Sequence, residues 1–125
     1  MSSTRPVSIT LHRASHVLEV GFDTGETFRL PCELLRVYSP SAEVMGHGPG
    51  QRVLQLGKEH VNITEVLPVG NYAVLLKFDD GHETGIYSWT TLYDLGKNQA
   101  TMWQKYLDEL ALAGHPREQG LGPRA

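Results

Sequence analysis

Apolar and polar residues alternate over Val7, Ile9 and Leu11, and again over Leu18, Val20 and Phe22. That period of two is the signature of half-buried strands. Asp23-Thr24-Gly25-Glu26 is a turn with glycine available for positive φ, and Thr27-Phe28-Arg29-Leu30 resumes the strand, so residues 16–30 predict a hairpin. Pro31 ends the strand and opens a short helix over 32–37, because proline is tolerated in a helix's first turn. Residues 38–50 hold three glycines and two prolines and predict a long loop. Strands are expected at 52–56 and 61–69, with Val61, Ile63 and Val66 as anchors, and in the strongly apolar stretch 72–78. Asp79-Asp80-Gly81-His82 then turns the chain into a strand over 83–87. Ser88 reads as the N-cap of a helical turn carrying Leu92 and Leu95 and ended by Gly96. Asn98 reads as the cap of the strongest helix. Its Met102, Trp103, Tyr106, Leu107 and Leu110 fall three or four apart and predict a face packed on a sheet.

These elements predict an α+β chain, mostly β: small antiparallel sheets from two hairpin-plus-short-helix units, with the C-terminal helix packed on them. A length of 125 residues fits one domain. It is expected over 7–113, after a flexible stretch at 1–6 and before a Gly-, Pro- and charge-rich tail at 114–125 that reads as disordered. Phe22-Asp-Thr-Gly-Glu-Thr and Phe78-Asp-Asp-Gly-His-Glu-Thr head the two units, the second longer by one residue, His82. Convergent turn chemistry and an internal repeat both account for the similarity. His82 is expected on an exposed turn between Asp80 and Glu83, which favour its protonated form.

Composition narrows the function. Hydrophobic residues make up 40% and charged residues 20%, as in ordinary globular proteins. The net charge is −3 and the 11 Lys and Arg residues are scattered, which argues against binding nucleic acid. No apolar run reaches the roughly 18 residues of a membrane span, and residues 1–6 show no secretion signal. The lone Cys32 fits a reducing cytoplasm. A cytoplasmic monomer is expected.

Leu30-Pro-Cys-Glu-Leu-Leu-Arg36, a loop, an apolar strand and then Phe78-Asp-Asp-Gly-His-Glu-Thr-Gly-Ile-Tyr-Ser-Trp89 together resemble the γ-butyrobetaine hydroxylase-like N-terminal domain family (DUF971), over roughly residues 9–96. The segment from Asp80 to Leu92 carries the most specific part of the likeness. Residues 39–50 are similar to short, stand-alone bacterial members. The resemblance implies an accessory module. In hydroxylases of the carnitine pathway it precedes a dioxygenase domain, and a related module ends some P-loop ATPase scaffolds of iron–sulfur cluster assembly. It also implies a structural zinc held by three cysteines after the Leu-Arg pair and by the histidine of the Asp-Gly-His turn. By motif position those residues are Ser39, Ser41, Val44 and His82 here, and only the histidine is a ligand. A tetrahedral zinc site needs four suitable donors, so the zinc site is expected to be lost and no cofactor is expected. A mixed zinc or iron site joining His47 to His82, with Cys32, Glu43 or Asp80 nearby, is the alternative.

Catalytic patterns are missing. The residues two after each histidine are Ala14, Leu18, Pro49, Asn62, Thr84 and Arg117, so no His-x-Asp or His-x-Glu opens an iron triad. Phosphate-binding glycine loops and a Gly-x-Ser-x-Gly nucleophile elbow are also absent. The expected function is a non-catalytic, protein-binding accessory domain whose surface comprises Ser39, Ser41, Glu43, His47, Asp79, Asp80 and His82. In it, the serine hydroxyls hold by hydrogen bonds what zinc holds elsewhere. The alternative is a metal-binding accessory protein tied to iron–sulfur or oxygenase systems.

Overall fold

A computed structural model describes residues 4–41 and 54–115 of the chain. Strands β1 (Pro6–His12), β2 (Val17–Phe22) and β3 (Thr27–Pro31) form one antiparallel sheet in chain order, and helix α1 (Cys32–Val37) follows directly. Strands β4 (Ile63–Val69), β5 (Ala73–Phe78) and β6 (Gly85–Ser88) form a second such sheet, followed directly by helix α2 (Trp89–Lys97). Helix α3 (Gln99–Leu112) comes last. The expected α+β architecture of two hairpin-and-helix units is the one observed.

Alternation places Leu18, Val20, Phe22 and Leu30 of the first sheet and Ile63, Val74, Leu76, Phe78 and Tyr87 of the second in one core. Leu34 and Leu35 of α1 and Leu92 and Leu95 of α2 complete it. All six residues of α1 are buried, including Glu33, whose carboxylate accepts a 2.6 Å hydrogen bond from Tyr106. Helix α3 lays Tyr106 and Leu110 over Val37 of α1, so its stripe packs inward as the spacing predicts. Its buried residues meet a helix rather than the expected sheet, and only its Met102 and Trp103 reach the main core.

The two units repeat each other bond for bond. Phe22 N donates to Glu26 O, Gly25 N to Phe22 O and Asp23 N to Arg5 O; in the second unit Phe78 N donates to His82 O, Gly81 N to Phe78 O and Asp79 N to Asn62 O. Both turn aspartates also accept an amide, from Arg5 at 3.3 Å and from Asn62 at 3.1 Å. Gly25 and Gly81 take φ of 91° and 90°, the left-handed region that glycine adopts without strain. The first strand of each sheet even carries a bulge at the matching place, Pro6/Ser8 and Ile63/Glu65. This correspondence favours an internal repeat over shared turn chemistry alone.

Several expectations need correction. His82 is not the inserted residue: its carbonyl holds the place of Glu26, and Leu76 then pairs with Gly85 as Val20 pairs with Phe28. The additional residue therefore lies within Glu83–Thr84. His82 is also buried, 4% exposed, because the segment after α1 covers it. Leu54–Leu56 form no strand; Gly57 turns at φ 71° and directs the chain toward Lys58 and Val61 instead. Strand β4 begins at Ile63, not Val61. Arg5 is bonded to Asp23 and Pro6 starts β1 where a flexible stretch was expected, while Val7 is 70% exposed beside the bulge. Gly96 lies inside α2 rather than ending it; Asn98 is the N-cap residue of α3 as expected, but its side chain makes no cap bond and donates to the Asp94 carbonyl at the end of α2. Residues 116–125, most of the expected tail, lie outside the described residues.

Candidate functional site

Each helix crosses to the turn of the other unit. Tyr93 and Lys97 of α2 reach Glu26 in the first turn at 2.6 and 2.9 Å. Their hydrogen bonds, Tyr93 first, hold the Glu26 carboxyl down at about 2. Beside them Phe22, Phe28 and Tyr93 form an edge-to-face triple with centroids 5.3–5.9 Å apart. Phe28 lies so close over Gly96 that a methyl group on that glycine would sit 2.3 Å from two ring carbons. The first turn is thus closed by aromatic packing and one balanced ion pair.

The second turn is its polar counterpart. Arg36, the α1 equivalent of Tyr93, donates from Nε to Asp80 Oδ2 at 2.8 Å, and Lys58 Nζ donates to the same oxygen at 2.6 Å. The His82 amide donates to Asp80 Oδ1 at 3.1 Å. Partial burial pushes the Asp80 carboxyl up, but the bonds from Lys58, the His82 amide and Arg36 outweigh it and hold the group at about 2. Where Phe28 fills the first site, Gly85 stands in the second. The space goes to polar atoms: a Cβ there would lie 2.8 Å from Ser39 Oγ and 2.9 Å from the Tyr87 ring. Tyr87 is fully buried, donates to the Leu35 carbonyl, and has its phenol pushed up by that burial.

The sequence-predicted residues separate into two groups. Ser39, Ser41, Asp80 and His82 come together, while Asp79 faces Asn62 on the same turn: Ser39 Oγ and His82 Nε2 share a 2.9 Å hydrogen bond, and Ser41 Oγ and Thr84 Oγ1 share one of 2.8 Å. The Ser41 amide also donates to Ser39 Oγ at 3.2 Å. Glu43, Val44 and His47 lie outside the described residues. Sequence reasoning missed Arg36, Lys58 and Thr84. Arg36 was visible within the Leu-Leu-Arg motif, whereas nothing local marked Lys58 or Thr84.

A zinc ion does not fit the residues described. Two of the positions that would carry thiolates are hydroxyls already bonded across the loop. Among the described residues no three His, Cys, Asp or Glu side chains come together as a ligand group. Cys32 faces Asn62 Oδ1 at 3.6 Å, and burial pushes its thiol up to about 11, so it is held as the neutral form. No helix among the described residues is long and apolar enough to cross a membrane.

No curated protein matches the chain in sequence. The solved structures that resemble it in fold and sequence include three that share 43–48% of its residues. Two are solution structures determined by NMR. One is 45% identical with a TM-score of 0.79, covering 94% of this chain and 95% of its own. The other is 48% identical with a TM-score of 0.78, covering 99% and 96%. The third is the crystal structure of a DUF971-family protein of unknown function from Acidithiobacillus ferrooxidans ATCC 23270; it is 43% identical with a TM-score of 0.63, covering 74% of this chain and 92% of its own. The profile of the γ-butyrobetaine hydroxylase-like N-terminal domain matches residues 9–93. The chain belongs to the γ-butyrobetaine hydroxylase-like N-terminal (DUF971) family.

Proposed function

We propose that this chain is a non-catalytic accessory domain that binds a protein partner through residues 38–41 and the turn at 79–84. One observation carries the reading: the two copies of the same turn have diverged. The first is sealed by Phe28 against Gly96. The second holds a rigid polar platform, braced by the Ser39–His82 and Ser41–Thr84 bonds, with Asp79, Glu83 and Thr84 turned to solvent. Side chains held by their own hydrogen bonds lose little conformational freedom on binding, which favours recognition. The one hydroxyl–imidazole pair of the platform, Ser39 with His82, is buried out of reach of a substrate, and Cys32 stays protonated.

A photocrosslinker at Glu83, compared with one at Thr10 on the opposite unit, tests this in native extract. The captured protein is then purified and its affinity for Asp79→Lys/Glu83→Lys protein measured. Capture confined to Glu83 and a loss of at least about tenfold support the reading. Equal capture at both positions, or unchanged affinity, refutes it.

A further inference from the structure

We propose that Arg36 and Lys58 together receive one carboxylate from a protein partner, beside the one supplied by Asp80. The proposal rests on the interaction reading above and specifies what the partner brings. Two cations converge on the single oxygen Asp80 Oδ2, at 2.8 and 2.6 Å. The Arg36 side chain is only 9% exposed, and its Nη1 is buried with no hydrogen-bond partner among the described residues. A buried guanidinium donor without an acceptor within the chain is destabilising, and such a group is satisfied by a water, an ion or an incoming acceptor. Lys58, with its side chain 19% exposed, marks the approach from solvent, and two of its three ammonium hydrogens remain after the bond to Asp80.

The internal repeat supplies the comparison. At the equivalent first turn Lys97 and Glu26 balance one to one, and Tyr93, standing where Arg36 stands, donates its hydroxyl to Glu26. That site is complete in itself. Among the groups that meet at Asp80 Oδ2, the second site sets two cations against one carboxylate. The ligand is a carboxylate rather than a phosphate because the surplus is a single charge. Asp79 and Glu83 on the same turn oppose a second negative charge, and the planar guanidinium fork matches a carboxylate.

The test uses the isotope-labelled full chain, sodium acetate as probe, and sodium chloride at equal ionic strength as control. Arg36 Nε–H and the Gly81 and His82 amides are followed by NMR. Acetate should produce saturable shifts that chloride does not, and Lys58→Gln should weaken acetate binding about tenfold. Lys58 is partly exposed and a glutamine amide can still donate to Asp80, so the fold of this variant is checked by an amide spectrum that matches wild type outside the turn. Arg36→Lys, which retains charge but loses the fork, should weaken acetate binding similarly. Acetate no better than chloride, phosphate binding more tightly than acetate, or indifference to Lys58→Gln would each overturn the proposal. A partner whose affinity depends on Asp79 and Glu83 but not on Lys58 overturns it too, while leaving the interaction reading intact.

Discussion

Replacing Gly96 by alanine is the most direct probe of how the two units are joined. In an isolated helix the change stabilises by about 1 kcal/mol, since glycine is the poorer helix former. In this fold the new methyl group falls 2.3 Å from Phe28 Cγ and Cδ2 and 2.8 Å from Cδ1, against an ordinary carbon contact of about 3.5–4.0 Å. The ring must withdraw by more than an ångström. It cannot do so freely, because Phe22 and Tyr93 stand edge-on against it at 5.9 and 5.8 Å. Overpacking of this kind costs about 1–3 kcal/mol, and disturbing the aromatic pairs adds roughly 0.5–1.5 kcal/mol. Less the gain in helix propensity, the net destabilisation is about 1–3 kcal/mol. Urea unfolding monitored by circular dichroism, on wild type, Gly96→Ala, Phe28→Ala and the double variant, measures it. In the Phe28→Ala background Gly96→Ala should be neutral or stabilising, giving a coupling of about 1 kcal/mol or more. If Gly96→Ala costs the same in both backgrounds, the glycine serves the helix backbone and the packing argument fails.

Three further outcomes are expected. Ser39→Ala removes a buried partner of His82 Nε2 and should cost about 1–3 kcal/mol, with faster amide exchange at 82–85 than elsewhere in β5 and β6; uniform exchange across the sheet would contradict it. Asp80, held at about 2, contributes stability that is fully present above the unfolded carboxyl value near ~3.9 and is lost as pH falls toward 2. After allowance for solvent screening this amounts to about 1–2 kcal/mol. Asp80→Asn should flatten that part of the acid unfolding curve, and an unchanged slope would count against the ion cluster. Cys32, with its thiol raised to about 11, should react with a disulfide reagent at pH 8 only as fast as the protein opens; rapid labelling of the folded chain would contradict its burial.

Most of the strand positions were readable because one face of each sheet is buried and alternation records that face. Val20 and Leu76 report it directly. The helix starts were readable too, since Pro31 and Ser88 act within a few residues. Ser88 Oγ accepts from the Thr91 amide at 3.1 Å. What escaped depended on distant residues. Gly96 reads locally as a stop, yet it is small because Phe28, from another sheet, occupies its space. His82 reads as a surface turn residue, yet the chain after α1 buries it. Lys58 carries no local signal, because its role exists only once Asp80 is brought beside it.

The crossing of α1 and α2 has a consequence for how the chain acquires its fold. Each hairpin is local, but the helix that covers its turn comes from the other half, as Arg36→Asp80 and Tyr93→Glu26 show. Neither half can shield its own turn, so residues 4–41 or 54–115 alone should remain largely unfolded and assemble only when mixed. Hairpins form within microseconds, whereas docking the two halves requires closing a loop of several tens of residues, and that closure should set the folding rate. The cost of closure grows only with the logarithm of loop length. The connection between the halves can therefore vary widely in length among chains that keep this exchange of helices.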